Sequence, residues 1–173
     1  MLTNLLIYRF MLFNIAMLAV FGHAWNLGFI AAMLAGDASG IVLGISSVFA
    51  LTWCETARRI IRTSLRINRF KRGVGGVDTA NDATKERWLT DASDWMVGLG
   101  LIGTVIGFSI ALGGINEETL NSPAGVQGAI GDLMAGMRIA LNTTIAGAVF
   151  ALWNSINQRM LATANSCYRE NAK

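Results

Sequence analysis

Three consecutive polar residues, Asn142, Thr143 and Thr144, stand inside one long apolar block of this chain, and Thr104 stands inside another. Amide and hydroxyl groups do not titrate, so the chemistry open to them is hydrogen bonding, and each hydroxyl both donates and accepts. Left without partners in hydrocarbon, each such group costs a few kcal/mol, so they must face protein, water or backbone carbonyls. They either line a permeation path or act as polar glue between helices, worth about 1 kcal/mol per contact. The run of three favours the path. Other chemistry-bearing residues are sparse. His23 is the single histidine, and its place beside Trp25 and Asn26 favours an interfacial hydrogen bond over a proton relay. Cys54 and Cys167 are too isolated for a metal site and imply no disulfide. No His, Asp or Glu cluster stands at membrane depth and no nucleophile has a base beside it, so no enzyme, cofactor or metal is expected.

The elements that position these groups follow from hydropathy. Of 173 residues, 53% are hydrophobic and only 14% charged, against about 25% charged in a soluble domain. Leu5 to Phe21 holds one charge, Arg9; Ile41 to Cys54 and Met96 to Ile115 hold none; Leu133 to Trp153 holds only Arg138. Runs of roughly 20 apolar residues read as membrane helices. The block at 41–54 is short, and reaches full length as a helix from near Ala38 to Ala57. The sequence therefore predicts an all-α polytopic membrane protein with four transmembrane helices. Leu2 to Val20 lacks a basic leading region, with Arg9 inside the apolar stretch, so it reads as a retained helix rather than a signal peptide.

Charge placement sets the orientation. Nine of the fourteen Lys and Arg lie between Glu55 and Ser93, and Arg159, Arg169 and Lys173 lie in the tail. The segments Gly22 to Gly40 and Gly113 to Gly131 hold neither Lys nor Arg, and carry Asp37, Glu117 and Glu118. Basic loops stay cytoplasmic, which puts both termini inside and requires an even number of spans. The net charge of +3 then reflects orientation and headgroup contact, not nucleic-acid binding. Arg58, Arg62, Arg66 and Arg69 recur at helical spacing, so the second span continues as an amphipathic helix. Glycines and small polar residues from Gly73 to Asp82 break it, and Asp82 is placed to cap a new helix running into the third span. Without a GK[ST] or a preceding strand, those glycines make no phosphate loop. Four segments result: a peripheral helix pair at 1–57, a short basic segment at 58–93, a helix pair at 94–160 and a tail at 161–173.

The third span reads Gly98-Leu99-Gly100-Leu101-Ile102-Gly103-Thr104-Val105-Ile106-Gly107. Gly100, Gly103 and Gly107 share a face, which lets another helix approach backbone to backbone. Thr104 sits beside that face, where a bond back to the carbonyl four residues earlier is the plain alternative to a path-lining role. In the fourth span Gly136 and Gly147 flank Ala140-Leu141-Asn142-Thr143-Thr144. Together these segments resemble the MotA/TolQ/ExbB proton-channel family, whose pattern is a GLxGTVxG helix, a short external loop, and a G-M…A-L-x-T-T-x-x-G helix. The resemblance covers roughly residues 94–158.

That resemblance implies an ion-conducting subunit of a bacterial inner-membrane motor, of the stator type, whose last two helices form the pore wall. Such subunits form a homopentamer around a MotB-, ExbD- or TolR-like single-span partner, whose membrane aspartate carries the proton and couples proton motive force to mechanical work. Hydroxyls matching Thr104 and Thr144 line the route, with Thr143 and Asn142 beside them. Gly100, Gly103, Gly107, Gly136 and Gly147 serve helix packing. None of the eleven acidic residues is assigned within a span, with Asp94 and Asp132 at the ends. A proton-driven device needs a titratable group in the membrane, so the partner is expected to supply it. Arg138 is read as reaching the outer interface, with an outer vestibule as the other possibility. The 39-residue segment from Glu55 to Ser93 is far shorter than the domain with which flagellar stators engage their rotor, whereas four spans match the flagellar layout, so the branch stays open. A non-conducting scaffold using the same glycines and threonines for packing is the alternative.

Overall fold

In hydrocarbon an open strand leaves its backbone groups unpaired, whereas a helix satisfies them within one segment. The computed structural model describes residues 2–37, 39–71, 80–115 and 121–171, and it is helical with no strand among them. Five helices follow in order: α1 (Leu2–Asn26), α2 (Phe29–Ala35), α3 (Ile41–Lys71), α4 (Ala80–Gly113) and α5 (Pro123–Asn171). Residues 72–79 and 116–120, which hold the expected glycine break, Glu117 and Glu118, lie outside the described residues, as do the side chains of Asp82 and Cys167.

Local chemistry sets the boundaries. Gly28 and Gly40 have φ of +75° and +69°, a region that glycine enters without a Cβ penalty. They bracket a turn-like segment in which α2 forms, a short helix that hydropathy alone had left inside a loop. Asp37 starts α3: its carboxylate accepts from Val42 N at 3.0 Å and from Ser39 Oγ at 2.8 Å. The helix therefore begins at Ile41, not near Ala38. Ser122 Oγ accepts from Gly125 N at 3.1 Å, and Pro123 occupies the first helical position, where its missing N–H costs nothing. α5 thus begins well before Leu133. α3 runs unbroken to Lys71, as the arginine spacing predicts, and α4 starts at Ala80, which puts Asp82 inside its first turn instead of at its cap.

Apolar spans long enough to cross a membrane occupy Ile7–Asn26, Ile41–Thr63, Trp88–Gly113 and Pro123–Thr163. The chain is an all-α polytopic membrane protein. At 1.5 Å per residue, the 34 residues of α4 extend about 50 Å and the 49 of α5 about 75 Å, well beyond a hydrocarbon core of about 30 Å. One expectation needs correcting. The α3 span contains Glu55, the α4 span Asp91 and Asp94, and the α5 span Asp132. Glu55 is tied within its own helix, to Arg59 at 2.9 Å and Arg58 at 3.9 Å. The apolar runs stop short of these residues, whereas the helical spans extend through them: Asp91 and Asp94 in the first turns of the α4 span, Asp132 early in the α5 span, and Glu55 in the later part of the α3 span.

α4 and α5 form a tight hairpin, and α3 packs on its back through Val42, Ile45, Met96, Ala146 and Ala151. Phe49 stacks on Phe150 at 4.6 Å, and Phe21 of α1 closes over Phe150 and Trp153. Phe10, Ile60 and Leu161 meet at one end, which brings the start of α1 and the far parts of α3 and α5 together. Arg58, Arg62 and Arg159 are exposed there, so this is the basic end. The opposite end carries α2.

The N-terminal helix is more than lipid-facing material. Asn14 is 4% exposed. Its Oδ1 accepts from Trp53 Nε1 (2.8 Å), Trp153 Nε1 (2.9 Å) and Asn157 Nδ2 (3.4 Å), and its Nδ2 donates to Asn157 Oδ1 (3.0 Å) and Phe10 O (2.8 Å). One amide thereby joins α1, α3 and α5.

Candidate functional site

The hairpin is set by residues without side chains. A Cβ on Gly107 would lie 2.6 Å from Ala140 N, one on Gly147 2.6 Å from Met96 O, and one on Gly100 3.1 Å from Thr143 O. Gly136 meets Gly107 and Ala111 as closely. Gly103 faces the Thr143 side chain, where a Cβ would be 2.5 Å from Oγ1. All five glycines singled out in the sequence therefore lie in the α4–α5 contact, four of them against backbone atoms and Gly103 against the Thr143 side chain.

That closeness brings two hydroxyls together across the hairpin. Thr104 Oγ1 and Thr144 Oγ1 lie 2.5 Å apart, close enough to share a proton in a hydrogen bond. Thr104 also reaches Gly100 O at 3.1 Å, and Thr144 reaches Ala140 O at 3.1 Å. Both hydroxyl protons thus have acceptors nearby, and the oxygens keep lone pairs for a further donor. Thr104 is half-buried and Thr144 exposed.

The surroundings of the pair are uniform. On α4 the residues sharing its face are Val97, Leu101, Phe108 and Leu112; on α5 they are Met137, Leu141, Ala148 and Leu152. All eight are exposed and apolar. The two helices thus present an apolar groove with one polar spot in it. Among the described residues, the hydroxyl pair is the side-chain hydrogen-bonding partner that the groove offers at that level.

The other two polar residues of the triplet point elsewhere. Thr143 is fully buried against Gly103, with its hydroxyl bonded to Ile139 O (3.1 Å) and Ala140 O (3.0 Å). Asn142 is half-buried, four residues from both Arg138 and Ala146, on the face toward α2 and α3, and its Nδ2 is buried without a partner. Consecutive helical residues are turned 100° from one another, so three in a row cannot share one groove. Arg138 is held at the C-terminal end of α2, donating to Ala32 O at 2.7 Å, which suits a cation at a helix C-terminus. His23 is exposed near the end of α1.

Sequence reasoning missed two polar clusters nearer the basic end. One is the Asn14 hub. The other joins α4 to α5: Asn154 Nδ2 donates to Ser93 Oγ (2.9 Å) and Leu89 O (3.4 Å), and Gln158 Nε2 donates to Leu89 O and to Ser93 Oγ (3.3 Å). The available signals were Asn14 inside an apolar block and the Asn154, Asn157, Gln158 spacing, which repeats one helical face.

Fold and groove define a multi-pass membrane subunit built on a two-helix hairpin. A model of the MotA/TolQ/ExbB proton channel family matches residues 77–170, more than half of the chain, and the chain belongs to that family. The match reaches past the motif region at both ends, into the extensions of α4 and α5. No curated protein and no solved structure matches the chain.

Proposed function

We propose that this protein is the proton-conducting subunit of an inner-membrane motor, with the groove of α4 and α5 facing a partner helix. The observation that carries the reading is the Thr104–Thr144 pair at 2.5 Å, alone among exposed apolar side chains. A hydroxyl accepts from a protonated carboxyl and donates to an ionised one, so the pair can hold a carboxylic acid on a passing helix in both of its states. Asp94, on the same face of α4, stands about 15 Å along the helix from Thr104 and out of the pair's reach, and Glu55 is engaged by Arg59. The titrating group therefore belongs to a MotB-, ExbD- or TolR-like partner with a membrane aspartate.

Five copies around that partner, with grooves inward, enclose the path, and proton motive force drives the partner's movement. Both termini and the basic end face the cytoplasm, since cationic loops are retained there. Thr104 and Thr144 carry the path. Thr143 serves the hairpin contact, and Asn142 lies on the side toward α2 and α3, away from the groove, so we narrow the path to two residues. The scaffold alternative draws on the same hydroxyl bonds to Gly100 and Ala140 carbonyls, and one experiment separates the two. The subunit is co-reconstituted with its co-purifying partner in liposomes, and proton uptake is read with a pH dye. Thr144→Val, and Thr104→Val, are expected to abolish uptake while the assembly's size on a column is unchanged. Wild-type uptake in both variants sinks the path assignment.

A further inference from the structure

In the basic half of the hairpin the contact changes character. Toward α2 it is glycine and alanine against backbone; below Gly100 it becomes the amide–hydroxyl clasp of Ser93, Asn154 and Gln158. Asn154 is 1% exposed and Ser93 5%. Asn154 Oδ1 is buried with no partner, although its Nδ2 has two acceptors. Turning the amide over does not remove the problem, because one polar atom is left unpaired either way. A buried acceptor left empty is costly, and natural structures fill such positions with water where a second polar group is in reach. Ser93 Oγ is that group: it accepts from both amides, which leaves its own O–H to give.

We infer that Asn154 Oδ1 and Ser93 Oγ hold a buried water molecule between α4 and α5, and that this water is a relay for the transported proton at the basic end. The relay role rests on the proposed ion path; the water site does not. Access favours the basic end, because Gly147 closes on Met96 O above the clasp while Gln158 is half-buried below it. The site lies about 16 Å along α4 from Thr104, beyond reach of a direct bond to the pair, so it serves the departure of the proton rather than its capture. The water takes up a proton on a lone pair and releases another from its own O–H. It is regenerated, and Asn154, Ser93 and Gln158 keep their charge throughout.

Cryo-EM of the purified assembly, at a resolution that shows ordered water, is expected to reveal density between Asn154 Oδ1 and Ser93 Oγ. Clear absence of that density overturns the site. In liposomes with the partner, Asn154→Leu and Ser93→Ala are expected to slow proton uptake several-fold while the assembly remains intact. Wild-type rates in both variants, with density present in the unaltered protein, overturn the relay. A wild-type assembly that carries no protons at all overturns the ion-path reading and the relay with it, and the density still decides the site.

Discussion

Gly107→Ala tests the hairpin most sharply. The added Cβ would stand 2.6 Å from Ala140 N and 2.7 Å from Gly136 O, both backbone atoms that no rotamer change can move aside. The helices must part by roughly 1 Å to reach ordinary contact, and a gap of that size forfeits a quarter to half of each neighbouring dispersion contact. Overpacking of this kind costs about 1–3 kcal/mol. Gly98→Ala is the matched control, because its Cβ would meet nothing within 4 Å and both variants gain the same helix preference of roughly 0.5–1 kcal/mol. The difference between them isolates the contact. In detergent, thermal unfolding followed by tryptophan emission should place Gly107→Ala below Gly98→Ala by about 2–4 °C for each kcal/mol lost. Proton uptake should fall as well, since Thr104 lies one turn away and its 2.5 Å approach to Thr144 depends on the same closeness. Equal midpoints for the two variants would refute the claim that backbone proximity holds this hairpin.

Two further substitutions probe the rest of the bundle. Asn14→Leu strands the indole N–H groups of Trp53 and Trp153 and the amide of Asn157, at a cost on the order of 2 kcal/mol given the modest worth of hydrogen bonds between membrane helices. Its emission maximum should shift, and cross-linking between cysteines placed in α1 and α3 should weaken. Asp37→Ala removes the cap of α3 and should cost about 1 kcal/mol, read as several-fold faster amide exchange at Val42 with the α4–α5 hairpin unaffected.

Charge and hydropathy were enough to define four spans and the continuation of α3, because lipid allows few alternatives to a helix. The glycine spacing was equally legible: Gly100, Gly103 and Gly107 lie on one face whatever the helix meets. Thr104 and Thr144 could be singled out from their setting, but their 2.5 Å approach depends on the register of one helix on the other, which spacing within a helix does not encode. Thr143 and Asn142 show the limit from the other side. Neighbours in sequence look like one feature, yet the helix turns them to three different faces. α2 escaped notice because seven apolar residues between two glycines read as loop, and its place depends on Arg138 at long range. The Asn14 hub was hidden for the same reason: its partners lie 39 and 139 residues away.

The chain's one proline is the first residue of α5, and no helix is interrupted by another. From Thr144 to Asn171 that helix continues for about 40 Å with no hinge. A rod of this kind does not absorb a disturbance locally. A tilt imposed at the hydroxyl pair displaces the far tip in proportion to that length, so on the proposed ion path an event at one point in the groove and a movement at the basic end would be two readings of a single displacement.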